Sequence, residues 1–113
     1  MSKSSATVRI GSGSGFWGDA MDPAIELLEK GELDYLCFDF LAELTMALLQ
    51  RQKQKKPDAG FVPDAVQFMK AMMPIAHRNC TRLISNGRGV NVRGAAQRVR
   101  DDAARQGLKG LKV

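Results

Sequence analysis

Residues 33–40, LDYLCFDF, constrain this chain more than any other stretch. They are apolar on both faces apart from two aspartates, the pattern of a central parallel strand covered by helices on both sides. The surrounding sequence alternates between strand-like and helix-like periods to match. Residues 7–10 read as a first strand, and residues 23–30 as a helix on which Ala24, Ile25 and Leu28 share a face before Gly31 ends it. The Asp22-Pro23 pair reads as a cap followed by a residue of preset φ. Leu44, Ala47 and Leu48 carry a helix to about Lys56, and residues 56–64 form a turn-rich link. Val66, Met69, Met73 and Ala76 mark a third helix, which Pro74 is expected to kink or end early, because proline removes a donor and collides with the preceding turn. Residues 81–85 are a short strand, NGRGVN (86–91) a loop, and Asn91 the cap of a helix with Ala95, Val99 and Ala103 inward until Gly107. Residues 108–113, LKGLKV, begin a fourth strand.

This alternation implies an α/β chain with a parallel sheet of about four strands, Rossmann-like connections, right-handed crossovers and helices on both faces. With 113 residues there is room for one domain. Ending on apolar Val113, in what reads as a strand in progress, residues 1–113 are expected to be the N-terminal fragment of a longer protein, an incomplete domain that self-associates through its truncated sheet.

The chain is 44% hydrophobic, ordinary for a globular protein. No apolar run reaches the roughly 20 residues that span a bilayer, and MSKSSATV has no apolar segment after its lysine, so the expectation is a cytoplasmic protein without a membrane partner. Cys37 and Cys80 stand apart without CxxC spacing and read as buried reduced thiols. No metal-ligand spacing is present, and lone His77 reads as structural. The net charge is +5. It comes largely from RQKQKK (51–56) and from Arg93, Arg98, Arg100 and Arg105, without interleaved aromatics and, in the second group, diluted by Asp101 and Asp102. These read as solvated helix faces with no specific nucleic acid, although a basic module binding RNA or a partner protein stays open as one reading.

The stretch RIGSGSGFWGD (9–19) poses the functional question. Gly13, Gly15 and Gly18 satisfy GxGxxG, and Asp39 lies about twenty residues on, where a ribose-binding acid would stand. A dinucleotide-binding half of an oxidoreductase is therefore an alternative. Against it, Phe16 and Trp17 intervene before the helix start at Asp22-Pro23, and Trp17 reads as a loop anchor packed on the domain. In a parallel sheet the loops after the strands share one crevice, which brings together residues 11–19, 39–43 and 86–91. The candidate ligand-binding residues are Gly11, Gly13, Gly15, Asp19, Asp39, Glu43, Asn86 and Asn91. Their exposed amides, carboxylates and carboxamides could hold a polar ligand or polarise a carbonyl. Each also has a plain structural role open to it: Asp19 as a turn cap, Glu43 facing a helix dipole, Asn86 and Asn91 satisfying loop and helix-end amides. No nucleophile with a recognisable base stands in the chain, so neither a reaction type nor a cofactor is indicated.

Residues 10–49 resemble the opening of the acyclic terpene utilisation protein A family, bacterial and fungal proteins of several hundred residues first named from citronellol and geraniol catabolism. The resemblance rests on the glycine stretch with its Gly18-Asp19, the Asp22-Pro23 helix start, LDYL (33–36) and LAELT (41–45). The later loop departs from the family's usual pattern: Asn86 and Asn91 are kept, but Arg88 stands where a glycine is usual and Val92 where a proline is usual. The resemblance covers the whole chain and about the first quarter of a family member. It implies a role in breaking down acyclic terpenes or related branched acids, with an acyl thioester or small organic acid as partner.

Overall fold

The computed structural model describes residues 7–113. These fold as β1 (Ile10–Ser14), α1 (Asp22–Lys30), β2 (Tyr35–Phe38), α2 (Glu43–Lys55), α3 (Pro63–Asn79), β3 (Arg82–Ser85) and α4 (Val92–Arg105). The opening MSKSSA, read above as lacking an apolar leader, lies outside the described residues. The α/β class and the parallel sheet stand as expected. Among the described residues the sheet has three strands in the order β1-β2-β3, with Ile10 opposite Tyr35 and Tyr35 opposite Arg82. The expected fourth strand is absent. After α4 the chain turns through Gly107 and Gly110, at φ +70° and +77°, and Leu108 N–H bonds back to Ala103 O at 3.0 Å. Two left-handed glycines within four residues break the extended run.

The first strand is displaced. It comprises IGSGS itself, where residues 7–10 were expected, because α1 packs closely against it. A Cβ at Gly11 would lie 2.6 Å from Leu33 Cδ1 and 2.9 Å from Leu27 Cδ2; one at Gly13 would lie 2.4 Å from Phe38 Cε1. These glycines give room to the helix and to the aromatic core, a recognised use of glycine within a strand. A register irregularity between Ser12 and Ser14 then turns Ser14 into the interior.

Leu36 and Phe38 of β2 face the core with Leu28, Phe40, Phe68 and Met72. Phe68 meets the Phe38 and Phe40 rings edge-on at centroid distances of 5.9 and 5.2 Å. α1 and α3 contact each other as well as the sheet, and so share one face of it. The expectation of helices on both faces is corrected accordingly. On the opposite face Ile10 is 66% and Ile84 51% exposed, and Tyr35 and Cys37 are half-buried. The double-sided apolarity of LDYLCFDF does not correspond to double-sided burial; Tyr35 instead has the Arg82 guanidinium 5.9 Å from its ring centroid.

Three further details differ. Asp22 is the first residue of α1 rather than its cap, Met21 holding that position without a side-chain bond, so Asp22 acts through its charge at the positive helix end. α3 runs through Pro74 to Asn79 without ending early. Cys80 is exposed and Cys37 half-buried; both are free thiols.

Candidate functional site

The C-terminal ends of the three strands meet at one edge, and a few polar bonds join them. Ser14 closes β1. Its hydroxyl donates to Asp39 O at 3.1 Å, and its own carbonyl accepts from Asp39 N–H at 3.2 Å. Asn86, just after β3, donates through Nδ2 to Asp39 Oδ1 at 2.9 Å and accepts through Oδ1 from Phe40 N–H at 2.9 Å. Asp39 Oδ1 also accepts from Leu41 N–H at 3.2 Å. One carboxylate thus ties the turn after β2 to the turn after β3, across 47 residues of sequence.

These bonds favour the ionised form of Asp39. The Asn86 amide, and after it the Leu41 N–H, favour the ionised form and hold its carboxyl below the usual carboxylate range, against a small opposing effect of burial. Asp39 is exposed and its Oδ2 makes no hydrogen bond among the described residues. A carboxylate with a depressed pKa is a poor general base at neutral pH and a good acceptor. The Asp39–Asn86 pair therefore offers a ligand one anionic acceptor and one amide donor, suited to orienting a hydroxyl or holding an amide or carbonyl group.

Gly15 and Asp19 form the adjoining corner. Gly15 N–H donates to Asp19 Oδ2 at 2.7 Å, so Asp19 caps the turn, and Gly18 within it has φ +125°. Trp17 packs against the core as a loop anchor, while Phe16 is exposed. Glu43 is the first residue of α2, exposed, at the positive end of that helix.

The eight candidates divide by position. Asp39 and Asn86 touch, Gly15 and Asp19 touch, and Ser14 O joins the first corner to Asp39. Gly11 and Gly13 lie inside β1 with their open side toward the apolar core. Asn91 is committed elsewhere: its Oδ1 caps α4 through Gly94 N–H at 2.9 Å, and its Nδ2 donates to Ala59 O at 3.0 Å and Asp58 O at 3.2 Å. Ser14 was missed. It sits in a stretch read as loop, and its only sequence signal is that it follows a strand-length run.

The glycine stretch does not build the geometry of a dinucleotide fingerprint. Gly13 is in the strand, and three residues separate Gly18 from α1, so no glycine opens directly into a helix N-terminus. Arg88, in the loop after β3, has no positive φ, which is why the loop accommodates it; Gly89 takes the left-handed conformation at φ +53°. Val92 is the first residue of α4, a position that favours proline.

Among the described residues no helix is long and apolar enough to cross a membrane, and no group of three or more His, Cys, Asp or Glu could hold a metal ion. A family model described as Acyclic terpene utilisation family protein AtuA matches residues 8–113. Neither the curated proteins nor the solved structures contain a match.

Proposed function

The chain belongs to the acyclic terpene utilisation family, and on that premise we propose that it serves the catabolism of acyclic terpenes or branched acids, such as those from citronellol and geraniol, by binding an acyl thioester or its acid. The observation that carries this reading is the family match along residues 8–113. The strand-end edge gives the ligand a place to bind. Asp39 Oδ2 and the second amide hydrogen of Asn86 present one acceptor and one donor side by side, a pairing that suits the amide-rich arm of a thioester carrier better than a bare carboxylate, which the Asp39 charge would repel. Gly15 and Asp19 form the neighbouring wall.

The test is calorimetric titration of the full chain with a branched ten-carbon acyl-coenzyme A, with its free acid, and with NADH. The thioester is expected to bind, the acid more weakly and NADH not at all. Asp39→Ala should weaken thioester binding, with the fold checked by circular dichroism. NADH binding that is lost in Asp39→Ala would favour a dinucleotide site instead, and absence of binding by either acyl compound would remove the proposal.

A further inference from the structure

β3 is an edge of the sheet, and its free side opens on a groove of about 850 Å³. Val66, Met69 and Met73 of α3 line one side and Val92, Ala96 and Val99 of α4 the other. The polypeptide 110–113 lies along the groove but does not pair with β3. Because Arg82 N–H donates inward to Asp34 O at 2.9 Å, the alternation of a parallel ladder turns the N–H and C=O groups of Leu83 and Ser85 outward. An apolar groove thus runs beside the backbone groups of Leu83 and Ser85, which have no hydrogen-bond partner among the described residues.

Its charged lining side chains are Arg82, Arg88 and Lys112, with no Asp or Glu among them. Arg82 stands at the start of β3 and Arg88 beyond its end. Neither forms an ion pair among the described residues: Arg82 rests on Tyr35, and Arg88 Nη1 donates to the neighbouring Gly89 O. We infer that this groove is a docking site for an extended polypeptide strand, apolar at alternate positions and flanked by carboxylates, which adds to β3 as a fourth strand. The backbone row requires a strand, since a small acid would satisfy one arginine and leave the edge amides unpaired. The charge selects the partner, since a second copy of this chain would bring Arg82, Arg88 and Lys112 against their own equivalents. The inference is independent of the Asp39–Asn86 site.

The probe is a fluorescein-labelled peptide, acetyl-Glu-Val-Thr-Val-Thr-Val-Glu-amide, titrated against the full chain by fluorescence anisotropy. Three results are expected. The peptide binds, and the amide signals of Leu83 and Ser85 shift in nuclear magnetic resonance spectra. Methylating its alternate backbone nitrogens on the β3-facing side weakens binding by about tenfold, the loss of two hydrogen bonds of ordinary net strength. Arg82→Glu and Arg88→Glu, both at exposed positions, each weaken it by about three- to fivefold and favour a lysine-flanked version instead. Failure to bind, or binding indifferent to both backbone methylation and charge reversal, overturns the proposal. So does decanoate binding that shifts groove residues while the peptide shifts none. A micromolar dimer in which the Leu83 and Ser85 amides become protected from exchange would give the edge to a second copy.

Discussion

Gln106 donates through Nε2 to the main-chain carbonyl of Lys70 at 2.8 Å. That carbonyl is the acceptor which the N–H of residue 74 would use in an unbroken α-helix, and residue 74 is a proline with no N–H to give. A side chain just past the end of α4 therefore replaces the bond missing from the middle of α3. It also fixes the two helices against each other.

Gln106→Ala is expected to destabilise the protein by about 1 kcal/mol, the net worth of one hydrogen bond. In a Pro74→Ala background, where the helix can make its own bond to Lys70 O, the same substitution should cost less. Urea denaturation of the four variants measures the difference. Equal costs in both backgrounds would show that Gln106 does not compensate for the proline.

Asn86→Ala removes the acceptor of the buried Phe40 N–H and should cost about 1–2 kcal/mol by the same measurement. It should also raise the Asp39 carboxyl toward the usual carboxylate range, because the Asn86 amide is the largest cause of its depression. A carboxyl depressed in the folded state contributes stability above its unfolded pKa and loses it as pH falls through the folded one. The acid-side loss of stability should accordingly shrink in Asn86→Ala. An Asp39 resonance that titrates unchanged in the variant would refute this account.

Gly13→Ala and Gly15→Ala should part company. The first places a Cβ 2.4 Å from the Phe38 ring, an overpacking expected to cost about 2–3 kcal/mol. The second places it no nearer than 3.7 Å from Asp19 Oδ2, without a positive φ, and should change stability by less than about 0.5 kcal/mol. Thermal melts of both variants decide it, and similar melting temperatures would mean that the Phe38 ring yields easily.

Cys80→Gly should stabilise. Cys80 ends α3 at φ +57°, its N–H reaching Ala76 O and His77 O, while Thr81 N–H bonds Ala76 O at 2.9 Å. A residue with a Cβ is strained in this left-handed position, where glycine is the usual choice, and relief is worth about 1 kcal/mol. A lower urea midpoint in Cys80→Gly would contradict the reading of strain.

The βα order was legible because LDYLCFDF is long, apolar and strand-like, and because Asp22-Pro23, Gly31, Asn91 and Gly107 mark helix ends by local chemistry. The convergence of Asp39 with Asn86 followed from the topology of a parallel sheet. What escaped depends on contacts between distant residues. Apolarity on two faces of β2 does not say that helices cover both. Glycine's low strand propensity concealed β1, whose glycines are set by the approach of Leu27 and Phe38. The survival of α3 through Pro74 rests partly on a glutamine 32 positions away, which no local rule detects.

The covered and uncovered faces of β1 have an evolutionary consequence. Gly11 and Gly13 point into the packed side, while Ile10 and Ser12 point to the open one. Substitutions in this strand should be purged with a period of two, two silent positions alternating with two forbidden ones. A profile of tolerated variation would then show a strand where residue propensities show only a loop.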